Sequence, residues 1–230
     1  MSKRGQQLLI VGVLAAVIVV VAIVLSSSGS DSDAGPASDS AKVEKLFAGI
    51  PQKGVLLGNP DAPEKLIEFV DMQCPYCAEF AKTSIPEIVA GPVRKGDLAI
   101  ELRVISFIGV QSDTAAAAAA AAALQSRLFQ FSDLFFLNQG VENSGYVDDQ
   151  FLTSLYEATP GLDVAQADAD RTSTQAQSLI AEADDLASKL GVNSTPSLFL
   201  VEGNGKPVPI EIQGFEYSDF QSALDAARSG

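Results

Sequence analysis

The chain has 230 residues, of which 47% are hydrophobic and 19% charged, with two cysteines, no histidine and a formal charge of -14 at pH 7. Lacking histidine, it is denied serine–histidine and cysteine–histidine nucleophilic catalysis and the commonest zinc ligand. The negative charge, with no basic cluster beyond Lys3-Arg4, argues against a nucleic-acid partner, because phosphate binding draws on clustered Lys and Arg.

Leu8 to Leu25 is an uninterrupted apolar run of 18 residues. As a helix rising ~1.5 Å per residue it would cover roughly 27 Å, enough to span a bilayer core. Lys3 and Arg4 precede the run and the first charge after it is Asp31, so residues 1–7 are expected to stay cytoplasmic and the bulk of the chain to cross. A cleaved signal peptide is the alternative. Against it stand the length of the run and the absence of an A-x-A-like site in Ser26-Ser27-Ser28-Gly29-Ser30. Ser26 to Ser40 holds only Ser, Gly, Asp, Ala and Pro, a composition that buries little apolar area and predicts a flexible tether reaching roughly 20 Å.

Val43, Leu46, Phe47 and Ile50 recur at helical spacing, which predicts a short helix over 41–50 that Gly49 and Pro51 stop. An edge strand is expected at 55–57 and a mostly apolar strand at Lys65 to Asp71, running straight into Cys74-Pro75-Tyr76-Cys77. A helix should open at Cys74, tolerate Pro75 in its first turn, kink at Pro86 and end before Gly91-Pro92. Leu98 to Phe107 reads as the next strand, completing a β-α-β unit around the cysteines. Asp113 then predicts a cap for a helix from Thr114 through nine consecutive alanines, Ala115 to Ala123. Leu124, Leu128, Phe131 and Phe135 continue one face, a spacing read as packing rather than as a partner groove. Residues 142–191 read as mostly helical, so that a helical insert over about 112–190 interrupts the strand pattern. Strands resume at 197–201 and 208–213, joined as an antiparallel hairpin through Gly203-Asn204-Gly205. Ser218 with Gln221 reads as a capping box for a last helix through Arg228. The fold class is α/β, with the cysteine helix packed on a central sheet.

The two cysteines stand at dithiol spacing. Cys74 lies where the free N–H groups and dipole of a helix start favour a negative sulfur, so it is the expected nucleophile, and Cys77, one turn inward, the resolving thiol. A disulfide between them closes too small a loop to be mainly structural. A zinc site would have only carboxylates to complete its shell, so no metal and no cofactor are expected. If the domain lies outside the cytoplasm, the pair is in a compartment where disulfides persist.

Gly58-Asn59-Pro60-Asp61-Ala62-Pro63, Glu68 to Cys77 (Glu-Phe-Val-Asp-Met-Gln-Cys-Pro-Tyr-Cys) and Gly191 to Phe199 (Gly-Val-Asn-Ser-Thr-Pro-Ser-Leu-Phe) resemble the DsbA-like branch of the thioredoxin superfamily, in particular its membrane-tethered bacterial members. The resemblance covers 55–228 and implies a thioredoxin-like fold with an inserted helical subdomain, forming a domain over 41–230 behind a single transmembrane helix. It also implies a thiol:disulfide oxidoreductase that forms disulfides in exported, cysteine-containing polypeptides and is regenerated by a quinone-linked membrane oxidase. By the same resemblance Thr195-Pro196 is a cis peptide facing the cysteines and presenting its backbone to substrate, while Glu68 is a buried acid able to exchange a proton with Cys77. The competing reading of Glu68 is an ion pair with Arg103 or Lys65. Pro75 and Tyr76 tune the site; Tyr76 stands where well-known oxidases of the branch carry histidine and brings no positive charge, which leaves reductase and isomerase as alternatives. A chaperone that binds extended chains at its sheet edge without turnover is the non-redox alternative.

Overall fold

The structure, a computed structural model, describes residues 35–229. The expected tail and membrane run at 1–25 lie outside those residues, as does the tether as far as residue 34. Among the described residues no helix is long and apolar enough to cross a membrane.

Helix α1 (Pro36–Phe47) starts on a proline, whose missing N–H costs nothing in a first turn. The tether expected through Ser40 therefore gives up its last five residues to this helix. Composition alone could not show why: Ser40 Oγ donates to Ala158 O at 2.6 Å, and Val43 and Phe47 are buried. Two-residue strands β1 (Gln52–Lys53) and β2 (Leu56–Leu57) form a hairpin, of which only the second was expected. Strand β3 (Glu64–Val70) is buried from Leu66 onward on both faces, as a strand covered on each side must be.

The cysteine helix is shorter than expected. Helix α2 (Pro75–Thr83) breaks at Ser84, and a short α3 (Ile85–Ile88) runs on into a π turn over Val89–Val93. Pro86 cannot bond back to the Lys82 carbonyl and crowds it, so the break falls in the turn before the proline rather than on it. Gly91 bends the chain with φ -94 and ψ -105, and the wider π turn absorbs Pro92 instead of ending there. The hydroxyls of Thr83 and Ser84 both donate to Phe215 O, pinning the break to the C-terminal segment.

Strand β4 (Leu98–Val104) leads to α4 (Val110–Leu124), which begins at Gly109 and not at Asp113. Asp113 rides in its first turn, where a carboxylate complements the dipole. The helical insert continues through α5 (Leu128–Leu137), α6 (Asp149–Ala158), α7 (Val164–Asp170) and α8 (Thr174–Leu190). Asp148, Asp163 and Ser173 cap the last three by accepting from backbone N–H groups, and Gly191 closes α8 at φ 72. Strands β5 (Ser197–Glu202) and β6 (Val208–Ile210) form the expected hairpin, β6 ending three residues early. In α9 (Tyr217–Ser229) the start is held by Asp219 accepting from the Glu216 N–H at 3.2 Å, so Ser218 is not the cap.

The sheet order is β1-β2-β4-β3-β5-β6, with β3 and β4 parallel and every other pair antiparallel. Alternation along β3 sends Leu66 and Val70 to the cluster that holds Cys77 and Phe80, and Ile67 and Phe69 to a second cluster with Ala183, Ala187 and Phe199. In α4, Ala115, Ala116 and Ala118 to Ala123 are all buried, small side chains that let neighbouring helices close in. Leu128, Phe131 and Phe135 are buried as well, so the expected stripe is core from Leu128 on, whereas Leu124 at the end of α4 is exposed.

Because Ala119 is fully buried and Ala117 is not, Ala119→Leu is expected to cost about 1–3 kcal/mol by overpacking, and Ala117→Leu within about 0.5 kcal/mol of none. Urea midpoints of the two variants check this.

Candidate active site

Strand β3 delivers the chain to Asp71, a fully buried carboxylate that organises the approach to the cysteines. One oxygen accepts from the Gln73 N–H (2.8 Å) and Ser112 Oγ (2.9 Å), the other from the Phe107 and Ile108 N–H groups (2.7 and 2.8 Å). These bonds lace the ends of β3 and β4 to the first turn of α4. The Asp71 carbonyl accepts from the Cys74 N–H at 3.0 Å, which places Cys74 as the N-cap of α2 with Pro75 at the first helical position.

Both thiols are free, Cys74 4% exposed and Cys77 sealed off completely. Across from them the Thr195-Pro196 peptide is cis, and the Cys74 thiol donates to Thr195 O at 3.3 Å. A groove of about 700 Å³ opens beside Cys74, walled by Tyr76, Thr195, Pro196, Ile212 and Phe215. The exposed Tyr76 ring stacks on Phe215 with centroids 5.7 Å apart and planes 19° from parallel. Pro75 sets the first turn of α2; Thr195 and Pro196 line the groove.

The electrostatics of the two sulfurs diverge. A hydrogen bond from the Cys77 thiol lowers Cys74 to about 6; burial opposes it, and the Thr195 side chain and the backbone N–H groups of Cys77 and Tyr76 add to the lowering. Burial pushes Cys77 well up, and the neighbouring Cys74 pushes it further. At pH 7 Cys74 is then roughly nine-tenths thiolate while Cys77 keeps its proton.

Glu68 lies in register between Leu102 and Leu198, both buried, on the face of β3 that carries the cysteine cluster. Desolvation there raises it to about 8. The alternative ion-pair reading is corrected by the structure: Lys65 and Arg103 hold Glu101 instead, each at 2.6 Å. Lys65 is excluded by the pleat, since residues 65 and 68 point to opposite faces of one strand, and Arg103 by register, since it stands opposite Phe69 on that other face. Among the described residues Glu68 makes no ion pair, and no three cysteine and carboxylate groups converge on a metal-sized site.

Sequence reasoning assigned no role to Asp71, Gln73, Ser112, Gln139 or Asn143, all of which bond to the loop before Cys74 or to one another. Asp71 and Gln73 carry a local signal, two polar residues between a buried strand and the cysteines. The other three reach the loop across 39 to 70 residues and leave no local trace.

An ionised sulfur at a helix mouth, a protonated partner behind it and a cis-proline loop across the gap define a protein of dithiol–disulfide exchange. The family model described as thioredoxin matches residues 51–226. The "Probable disulfide bond formation protein D" of Bacillus cereus is 31% identical over 166 residues, covering 71% of this chain and 76% of that protein. A thioredoxin-like oxidoreductase from Silicibacter pomeroyi is 30% identical, covering 81% and 98% of the two chains with a TM-score of 0.58. Oxidised BdbD from Bacillus subtilis shares the fold, with 23% identity, 79% and 98% coverage and a TM-score of 0.65. The chain belongs to the thioredoxin family and, within it, to the DsbA-like thiol:disulfide oxidoreductases.

The rate of Cys74 alkylation in the reduced protein is expected to rise with pH to a half-maximal value near pH 6, with Cys77 unreactive across that range. Mass spectrometry of the alkylated peptides reads both. Glu68 gives a second expectation. Its native pKa lies above the usual carboxylate range, so between about pH 4.5 and 8 the native state holds a proton that the unfolded state has lost. Stability falls as pH rises through that window. Asp133, raised to about 7 by burial, adds the same sign. With the cysteines held as the disulfide, Glu68→Gln should flatten most of the decline in urea midpoint between pH 5 and 8, leaving the part due to Asp133.

Proposed function

We propose that this protein introduces disulfides into cysteine-containing polypeptides outside the cytoplasm, held there by a membrane helix at residues 8–25. In the productive step a substrate thiolate attacks Cys74 Sγ of the Cys74–Cys77 disulfide, the S–S bond breaks, and the electron pair leaves on Cys77. Cys77 takes up a proton, and Glu68, largely protonated at neutral pH and facing the same cluster, is the acid suited to supply it. A second substrate thiolate then attacks the substrate sulfur of the mixed disulfide and releases Cys74 as its thiolate. The substrate loses two electrons and the enzyme gains them. A membrane oxidase passing those electrons to quinone would restore the disulfide.

The observation that carries the direction is the lowered Cys74 pKa. Stabilising the reduced thiolate makes the corresponding disulfide a stronger oxidant. Thr195 O, within hydrogen-bonding reach of the Cys74 sulfur, suits pairing with an extended substrate strand, and the adjoining groove could take its side chains. Tyr76 favours the second reading, an isomerase, because its stacked neutral ring adds no positive charge beside the thiolate.

The test is reoxidation of reduced ribonuclease with the disulfide form as sole oxidant. Wild type should return one substrate disulfide per enzyme, Cys74→Ser none, and reduced Cys77→Ser, added to a disulfide-bearing substrate, should accumulate a mixed disulfide through Cys74. Efficient insulin reduction with no ribonuclease oxidation would reverse the proposed direction.

A further inference from the structure

Between the end of α5 and the start of α6, one side chain of the helical insert reaches across to the cysteine loop. Gln139 Nε2 donates to Met72 O at 2.8 Å and to Cys74 O at 3.1 Å, spending both amide protons on the two carbonyls that bracket the Gln73–Cys74 peptide. The same lobe clasps the residue between them. Gln73 Oε1 accepts from the Asn143 N–H at 2.9 Å, and Gln73 Nε2 donates to Ser112 Oγ at 3.0 Å. The Gln73 and Cys74 N–H groups are already taken by Asp71. The backbone from Met72 to Cys74 is thus tied down: Gln139 is the donor to the Met72 carbonyl, and it shares the Cys74 carbonyl with the Ala78 N–H at 3.1 Å.

We propose that Gln139 is a positioning residue of the redox pair, acting through the loop backbone on the Cys74 thiolate. The thiolate depends on donors with fixed directions: the Cys77 thiol, the Thr195 side chain and the N–H groups of Tyr76 and Cys77. Hydrogen bonds weaken steeply with angle, and bonds to a charged acceptor lose more than bonds to a neutral one. Loosening the loop therefore costs the thiolate more than it costs the disulfide, in which Cys74 carries no charge. The insert holds Gln139 firmly enough for this: a Cβ at the neighbouring Gly140 would come within 2.6 Å of the Tyr146 ring, so the backbone and the ring are in close contact there.

The inference rests on exchange at Cys74–Cys77, and the experiment separates the two. The full chain in detergent is equilibrated with glutathione buffers, and the Cys74 titration is followed by alkylation. Gln139→Met keeps the length of the side chain and removes its donors. It is expected to raise the Cys74 midpoint and to shift the exchange equilibrium about tenfold toward the protein disulfide, equivalent to about 30 mV. Gln130→Met, at a buried amide on α5 that lines a different pocket beside Phe47 and Pro160 and makes no hydrogen bond to the cysteine loop, should leave both within twofold of wild type. Should Gln139→Met fail to fold, Gln139→Asn, a methylene short of the carbonyls, decides by a smaller shift in the same direction. Equilibrium and midpoint unchanged within twofold in the folded Gln139 variant, or moved equally by Gln130→Met, overturn the inference. A wild type that exchanges with no glutathione would instead sink the reading of the site itself.

Discussion

One sulfur in this molecule can ionise because the other cannot. Cys77 sits one turn inside a helix with no exposed surface, where burial holds its proton in place, and that proton is the largest contributor to the lowered pKa of Cys74. The pair is asymmetric by construction. If Cys77 were solvated it would compete for the negative charge, and if Cys74 were not at the N-cap the backbone N–H groups of α2 would not face it.

The rest of the fold maintains that asymmetry. The sheet buries β3 on both faces and so places the Cys77 face in a cluster with Leu66, Val70 and Phe80. Asp71, placed where β3 ends, spends four accepted hydrogen bonds on fastening the cysteine loop to β4 and α4. The cis-proline loop brings Thr195 to Cys74 from the opposite side. The helical insert, whose buried alanines allow close packing, carries Ser112, Gln139 and Asn143 to the same loop. A lobe that interrupts the strand order in sequence is therefore part of the redox site in space.

Much of this is readable from local pattern. The strand leading into the cysteine loop, the cysteines opening a helix, the helices filling about 112–190 and the hairpin at Gly203-Asn204-Gly205 all follow from short-range chemistry. Elsewhere a tertiary partner or the geometry of a neighbouring turn decides the outcome. Ser40 and Asp39 look like tether until Ser40 finds Ala158 O; Asp113 looks like a cap until α4 starts at Gly109; Pro86 looks like the kink until its effect on the preceding turn is counted. Alternation along β3 already separates Lys65 from Glu68, whereas the separation of Arg103 follows only from the β3–β4 register, which sets it opposite Phe69. Gln139 and Asn143 were out of reach, because nothing in a glutamine or an asparagine announces a contact 65 to 70 residues away. The cis state of Thr195-Pro196 was legible only through resemblance to a family, not through any pattern in the chain.

The most direct measurement of the central claim is the standard potential of the wild-type Cys74–Cys77 couple. A thiolate stabilised as this one is should place the couple above the value of about -270 mV typical of a cellular reductant. A value at or below about -270 mV would contradict it, because the reduced form would then be no better stabilised than that of a cellular reductant.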